Sequence, residues 1–145
     1  SIPEGSKAMD KNNEPWRLAN EYVRIVDDRN FEEAEDIMWP DFTQHGPGFG
    51  AESRQVFIDN LEFLRQYSRT FHLIGSQFGE WDGDRYSGES YCIASHFYVK
   101  DDVEHKMDMG IRYQETIEVR EGVAKYLKRD LNVVWTEDRP LGGES

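Results

Sequence analysis

His72 and Asp27 are the two residues whose types and surroundings could carry out acid–base chemistry. His72 lies in the apolar, β-branched run Thr70–Ile74, and Asp27 ends the run Tyr22–Asp27. A carboxylate bonded to one nitrogen of a neutral imidazole fixes its tautomer and stabilises the imidazolium, so the other nitrogen can take a proton near neutral pH. Such a pair is a general base suited to removing a proton beside a leaving group or a carbonyl. A histidine on a strand can equally be packed in the core or exposed at the surface. The helices and strands that position His72 and Asp27 therefore determine whether the pair can act as a base.

Composition predicts one domain and narrows the classes of partner. At 145 residues and 17.0 kDa the chain is long enough for one hydrophobic core and a ligand cavity. The net charge of -12 disfavours nucleic acid and anionic membranes, and no run of about 18 apolar residues predicts a membrane span. We therefore expect a small-molecule ligand and neither a nucleic-acid nor a membrane partner. The single cysteine, Cys92, excludes an intramolecular disulfide and makes a reducing cytoplasm the expected location.

The two ends of the chain are predicted to lie outside the domain. Residues 1–14 are predicted to form a flexible arm, and residues 137–145, with one proline and two glycines, a loose tail. The single domain is predicted over residues 15–136.

Three helices are predicted in the first half of the chain, the first and third from apolar residues at three- and four-residue steps. The short second helix is predicted from Asn30 as its cap and from the carboxylates Glu32 and Glu33 in its first turn. The three helices cover Pro15 to about Asp28, Phe31–Met38 and Val56 to about Tyr67. Pro15 suits a first helical turn, and Pro40 is predicted to end the second helix. A brief strand, Phe42–Gln44, and a glycine-rich loop follow Pro40.

The period then changes to that of strands. Segments rich in aromatic and β-branched residues, separated by turn signals, predict a four-stranded meander over residues 70–81, 85–99, 105–119 and 123–135. Strands of this length imply a strongly curved sheet. Helices followed by such a sheet predict an α+β fold, in which the helices cover one sheet face and enclose a conical space for a small apolar ligand.

This order of elements resembles the SnoaL-like branch of the nuclear transport factor 2 superfamily. The motifs that carry the resemblance are Tyr22-x-Arg24-x-Val26-Asp27, Thr70-x-His72, Gly110-x-Arg112-Tyr113, Glu121-Gly122 and Lys128-Arg129. Within that branch the chain is most similar to the group that contains hexachlorocyclohexane dehydrochlorinase and scytalone dehydratase. The resemblance implies a cone-shaped α+β barrel, with three N-terminal helices on a strongly curved, mostly antiparallel sheet. It also implies an Asp27–His72 pair inside the cone, and a homodimer or homotrimer.

Further site residues are predicted around that pair. The resemblance places Arg129 near the leaving group, whereas its alternative is a salt bridge across the strand. Tyr22 could donate a hydrogen bond to the substrate or pack in the core. The remaining predicted substrate contacts are Phe42, Gln44, Tyr113 and His96. Strand alternation groups the residues of each strand into two faces, but it leaves open which face lines the pocket.

The leading hypothesis is a cofactor-independent lyase with His72 as its base, acting on a small apolar or aromatic substrate. No phosphate loop, dinucleotide fingerprint, nucleophile elbow or paired-histidine metal motif occurs, so neither a cofactor nor a metal is predicted. An isomerase or cyclase working through an enolate would use the same base. Carbon–carbon cleavage that releases an aldehyde from an aromatic diol is a third hypothesis, and a noncatalytic ligand-binding or assembly module is a fourth.

Overall fold

Short helices and a curved six-stranded sheet make up the computed structural model, which describes residues 9–142. The helices are α1 (Glu14–Asp27), a 3-10 segment (Phe31–Asp36) and α2 (Arg54–Leu61), which a 3-10 turn (Glu62–Gln66) extends. The strands are β1 (Met38–Gly46), β2 (Phe49–Ala51), β3 (Arg69–Asp82), β4 (Arg85–Lys100), β5 (Val103–Arg120) and β6 (Val123–Pro140). The predicted α+β fold is confirmed, with three helical segments before β3, of which the second is a 3-10 helix.

Helix α1 forms where the apolar period predicts it. Pro15 occupies the first turn, and one face of the helix is buried at Leu18, Ala19, Tyr22, Ile25 and Val26. The helix packs on β3, and its last residue is Asp27. Burial of this face therefore fixes the position from which the Asp27 carboxylate reaches the sheet.

The second predicted helix is wrong in type and length. Residues Phe31–Asp36 form only a 3-10 segment, and Met38 already belongs to β1, where it pairs in parallel with Tyr126 of β6. Pro40 therefore lies within β1 and does not end a helix. The pairing of β1 with β6 is irregular between Met38 and Thr43, which accommodates a residue without a backbone N–H.

The sheet order is β2-β1-β6-β5-β4-β3, and the strands from β3 to β6 form the predicted meander. Among the strands of residues 9–142 only the β1–β6 pair is parallel, so the sheet is mostly antiparallel as expected. Irregularities in register interrupt the β3–β4 and β5–β6 ladders, and such bulges increase bending and twist. The Glu121-Gly122 turn has positive φ at both positions, as a two-residue hairpin with right-handed strand twist requires.

Burial identifies the inner face of the sheet, which strand alternation alone leaves open. On β4 the even-numbered residues Tyr86, Ser90, Cys92, Ala94 and His96 are buried, whereas Tyr91 and Ile93 are exposed. The matching face of β5 carries Ile111, Tyr113, Glu115 and Ile117. These residues form the inner, concave face beneath the helices.

Both predicted ends are more structured than expected within the described residues. Lys11 donates to the Gly83 carbonyl oxygen (2.8 Å) and lies over the Trp81 ring, and Glu14 already belongs to α1. Strand β6 continues past its predicted end at Trp135 to Pro140, which pairs with His105. The other residues of the predicted arm and tail, 1–8 and 143–145, lie outside the described residues. Within residues 9–142 no helix has the length and apolar character needed to cross a membrane.

Candidate active site

The end of α1 and the start of β3 bring Asp27 and His72 into direct contact. His72 Nδ1 lies 2.7 Å from Asp27 Oδ1, and the His72 backbone N–H donates to Asp27 Oδ2 at 2.9 Å. The Thr70 hydroxyl donates to Asp27 Oδ1 at 2.9 Å. Two residues apart on β3, Thr70 and His72 share the inner face of the sheet, so both reach the same carboxylate.

The surroundings of Asp27 favour its ionised form. Burial opposes ionisation, but the hydrogen bonds from His72 and Thr70 outweigh that cost and lower the pKa of the Asp27 carboxyl below its ordinary value. An ionised carboxylate only accepts hydrogen bonds, so Nδ1 of His72 must carry the proton. In the neutral ring Nε2 is then the basic nitrogen.

Aromatic rings surround His72 on the inner face. The Tyr22 and His96 rings lie 6.2 and 6.3 Å from the His72 ring, both nearly edge-on. The Tyr67 ring, which follows the 3-10 turn after α2, lies 5.0 Å from the His96 ring. Burial lowers the pKa of His96, and its Nδ1 lies 3.2 Å from the Met107 carbonyl oxygen. Because a carbonyl only accepts, Nδ1 is protonated and Nε2 of neutral His96 is an acceptor.

Arg129 is fully buried and forms a salt bridge across two strands, which is the second of its two predicted roles. Its Nε donates to Glu115 Oε2 at 2.7 Å, directly across the β5–β6 ladder, and Ser90 Oγ donates to the same oxygen at 2.9 Å. The guanidinium carbon lies 3.7 Å from the Tyr113 ring centroid and 4.3 Å from that of Tyr22. Tyr22 therefore contacts both Arg129 and His72. Its ring lies between the buried Arg129–Glu115 salt bridge and the Asp27–His72 pair.

Four buried polar atoms of this cluster have no hydrogen-bond partner within residues 9–142. They are Arg129 Nη1 and Nη2, Glu115 Oε1 and the Tyr126 hydroxyl. Leaving donors on a charged group unpaired is costly, so such atoms commonly receive a buried water or a polar ligand group. Burial raises the pKa of the Tyr113 and Tyr126 hydroxyls well above the ordinary value, which keeps both protonated.

The other predicted contacts are placed less directly. Phe42 and Gln44 are buried together on one face of β1, as strand alternation predicts. The Phe42 ring lies 5.3 Å from that of Phe57, which in turn lies 6.4 Å from the Tyr22 ring. Phe42 is therefore linked to Tyr22 through Phe57. By contrast, Tyr113 packs directly on Tyr22, and His96 packs directly on His72.

Two open grooves lie on the opposite, outer face of the sheet, away from the hydrogen-bonded pair of Asp27 and His72, which we call the dyad. One, of about 470 Å³, runs beside Glu89 and Lys128, and the other, of about 520 Å³, beside Leu73, Ile93 and Trp135. Neither groove is lined by Asp27 or His72, both of which lie on the inner side of the sheet. Within residues 9–142 no group of three or more His, Cys, Asp or Glu side chains is arranged to hold a metal ion.

Comparisons with known proteins identify the family and the fold of the chain. The family model described as a SnoaL-like domain matches residues 16–130. The chain belongs to the SnoaL-like family. No functionally curated protein sequence matches it significantly.

Solved structures share the fold at low sequence identity. A scytalone dehydratase-like protein from Novosphingobium aromaticivorans superposes with a TM-score of 0.75 at 22% identity, covering 89% of this chain and 91% of its own. A hexachlorocyclohexane dehydrochlorinase from Novosphingobium barchaimii gives a TM-score of 0.75 at 18% identity, covering 88% and 87%. An NTF2-like protein from Cytophaga hutchinsonii gives 0.68 at 10% identity, covering 87% and 100%. The SnoaL-like domain thus shares its fold with a dehydratase-like protein and with a dehydrochlorinase.

Sequence reasoning missed several residues of this SnoaL-like domain that contact the predicted site residues. Thr70 is part of a motif that carries the resemblance but has no predicted role, and Tyr67 is the last residue of the third predicted helix. Glu115 carried a usable signal, because it continues the buried period-2 series Ile111–Ile117 on β5. A carboxylate in an apolar stripe needs a buried cation, and Arg129 occupies the equivalent position on β6.

Proposed function

We propose that this SnoaL-like protein is a cofactor-independent lyase that eliminates water, a halide or another small leaving group from a small apolar or aromatic substrate. The observation that carries the proposal is the 2.7 Å contact between His72 Nδ1 and Asp27, which makes Nε2 the basic nitrogen. Nε2 takes a proton from the carbon beside the leaving group, the C–H electron pair forms a double bond, and the bond to the leaving group breaks. Asp27 stabilises the imidazolium that results, which returns its proton to a departing hydroxide to give water, or to solvent where a halide leaves. A positioned general base contributes on the order of a hundredfold to ten-thousandfold in rate.

His96 and Tyr22 are proposed to orient the substrate. Nε2 of neutral His96 accepts a hydrogen bond from a substrate hydroxyl, and the Tyr22 hydroxyl, kept protonated because burial raises its pKa, donates one. Phe42, Gln44 and Tyr113 are proposed as further contacts.

Arg129 is proposed to stabilise the negative charge that develops as the leaving group departs or an enolate forms. Its Nε is taken by Glu115, so only Nη1 and Nη2 are available for this role. Glu115 also neutralises the guanidinium charge at rest, so the buried pair attracts a transient anion less strongly than an unpaired arginine would.

The same base supports isomerisation or cyclisation through an enolate, so the experiment must separate proton abstraction from loss of a fragment. The protein is incubated in D₂O with cyclic hydroxyketones and cyclic halides that carry a C–H bond beside the leaving group. Proton NMR follows exchange at that carbon, and mass spectrometry follows the elimination product. His72→Gln and Asp27→Asn test the dyad, and His45→Gln is the matched control because His45 lies at the exposed end of β1.

We expect the wild-type protein and His45→Gln to form elimination product, and His72→Gln to be at least about a hundredfold slower. Normal turnover by His72→Gln would show that the mechanism is wrong. Exchange without loss of a fragment would identify an isomerase or cyclase. Binding with neither exchange nor elimination would favour a noncatalytic binding protein.

A further inference from the structure

Arg29 occupies a backbone conformation that favours glycine, two residues after Asp27. Its φ is +64°, in the left-handed region, and its N–H closes the end of α1 by donating to the Val26 carbonyl oxygen at 3.2 Å. Glycine would adopt this conformation with less strain. What the arginine adds at this position is therefore its side chain.

That side chain bridges two segments that border the site. Arg29 Nη1 donates to Thr70 Oγ1 at 3.1 Å, and Nη2 donates to the Tyr67 carbonyl oxygen at 3.1 Å. Thr70 stands on β3 beside the dyad, and Tyr67 follows the turn after α2 with its ring against His96. The planar guanidinium fork can bond both acceptors at once.

The contact with Thr70 sets the direction of a hydrogen-bond chain. Because Thr70 Oγ1 accepts from Arg29, the Thr70 hydroxyl proton is free to be donated to Asp27 Oδ1. Asp27 then accepts three hydrogen bonds, from the Thr70 hydroxyl, the His72 backbone and His72 Nδ1. A carboxylate held by three donors keeps its orientation and keeps the proton on Nδ1 of His72.

We propose that Arg29 is a positioning residue, which fixes the tautomer of His72 through Thr70 and Asp27. Its second hydrogen bond joins the backbone of Tyr67, whose ring packs on His96, to the same network. The effect on the tautomer is indirect, because Arg29 and Thr70 hold the Asp27 carboxylate in the orientation that accepts from Nδ1. Its consequence for catalysis rests on the proposed function, because a general base needs Nε2 unprotonated.

The test measures the tautomer directly and needs no substrate. Ring ¹⁵N chemical shifts of His72 are recorded by long-range ¹H–¹⁵N NMR in the wild-type protein, Arg29→Gly, Thr70→Val and Arg24→Ala. Arg29→Gly removes the side chain at a position that suits glycine, and Thr70→Val breaks the next link while retaining Arg29. Arg24→Ala is the control, because it removes an exposed positive charge from the last turn of α1.

We expect the wild-type protein and Arg24→Ala to hold the Nδ1-protonated tautomer. Once Thr70 no longer holds the Asp27 carboxylate in place, the carboxylate can turn away from Nδ1, so the ratio of the Nε2-protonated to the Nδ1-protonated form should rise in Arg29→Gly and Thr70→Val. Full loss of the hydrogen bond from Nδ1 to the charged Asp27 would raise that ratio at least about tenfold. The two ring ¹⁵N shifts should then move toward each other. A purely structural role for Arg29 would change thermal stability without moving these shifts.

Wild-type ring shifts in a folded Arg29→Gly protein would overturn the proposal. Should Arg29→Gly fail to fold, Thr70→Val decides, and an unchanged tautomer there would overturn it equally. A failure of the elimination reaction has a different signature, because the ring shifts would still respond to both variants while no compound is turned over. If turnover is found, Arg29→Gly should lower kcat more than it raises KM.

Discussion

The ionisation of Asp27 is the residue-level property that couples the site to stability. Burial opposes ionisation, but hydrogen bonds from His72 and Thr70 outweigh that cost and hold the pKa of the carboxyl below its ordinary value. A carboxyl whose pKa is lower in the folded than in the unfolded chain contributes its full stabilisation above the unfolded pKa of about 4. That contribution is lost as the pH falls through the folded pKa. The dyad should therefore stabilise the protein near neutral pH and lose this effect in acid.

The first prediction compares the wild-type protein with Asp27→Asn in urea unfolding between about pH 7 and pH 2. Asn cannot accept all three hydrogen bonds, so it should be less stable at neutral pH, and the difference in the free energy of unfolding should shrink below about pH 4. Asp102→Asn is the control, because Asp102 lies exposed in a hairpin turn where Asn tolerates the positive φ. A pH-independent gap for Asp27→Asn would contradict this account.

The second prediction concerns the buried pair of Arg129 and Glu115, both without solvent exposure of their side chains. Removing one partner leaves the other charge buried and unpaired, which costs about 3–5 kcal/mol. We expect Arg129→Met to destabilise by that amount in urea unfolding. The combined substitution Arg129→Met with Glu115→Leu should recover most of the loss, because neither charge is then stranded. Equal destabilisation by the single and the double variant would contradict the argument.

An exposed pair supplies the matched control for that measurement. Arg85 bonds Glu118 across the β4–β5 ladder at 2.6 Å, but more than half of the Arg85 side chain is exposed. Solvent screens this pair, so Arg85→Met should cost no more than about 1 kcal/mol. The comparison separates the effect of burial from that of the hydrogen bond.

At the scale of elements, the sequence predicts helix α1 and the four long strands because each carries a sustained period of its own. The prediction of the second helix is wrong because that short segment has no such period. Met38 instead pairs with Tyr126, which is remote in sequence, so the end of the predicted helix becomes part of β1. The contact between Asp27 and His72 joins a helix end to a distant strand, so it came only from the resemblance to a family. Local periodicity cannot specify such a contact.

Register explains why the partner of Glu115 could not be predicted. Counting back from the hairpin, where Arg120 pairs with Val123, would place Glu115 opposite Lys128. An irregularity between Thr116 and Ile117 shifts the register by one residue, and Arg129 becomes the partner of Glu115. A one-residue shift exchanges the two faces of a strand. The bulge therefore decides which of two neighbouring basic residues enters the core.

The third prediction tests how the β3–β4 hairpin closes over the core. The Tyr86 ring lies against Gly79 and Gly88, and a Cβ on Gly79 would stand 2.4 Å from the Tyr86 hydroxyl oxygen and 2.6 Å from Gly88 Cα. Gly79→Ala should therefore overpack this region and destabilise by about 1–3 kcal/mol. Gly75→Ala, on the same strand, is the control, because its Cβ would lie at an ordinary 3.7 Å from Tyr91. Thermal unfolding of the two variants measures the difference, and equal stability would show that Tyr86 is free to move.

At the scale of the whole molecule, the outer face of the sheet carries a group of large apolar side chains that are exposed to solvent. Phe71, Leu73 and Ile93 are each between 44% and 60% exposed, and they adjoin Val134 and Trp135 at 58% and 43%. Cross-strand pairing of Leu73 with Ile93 makes the surface continuous. A contiguous exposed apolar surface of this kind commonly marks a protein interface.

The fourth prediction is that a second copy of this chain covers that face, which agrees with the homodimer or homotrimer that the resemblance implies. Each chain carries a net charge of -12, so like copies repel at low ionic strength and screening should favour their association. Sedimentation equilibrium between about 20 mM and 500 mM salt should show tighter assembly at the higher concentration, as the Debye length falls from about 20 Å to about 4 Å. Ile93→Glu should give a monomer, whereas Val123→Glu, equally exposed but at the distant β5–β6 turn, should assemble normally. A wild-type monomer at every salt concentration would leave the face to a different partner, and assembly that survives Ile93→Glu would place the interface elsewhere.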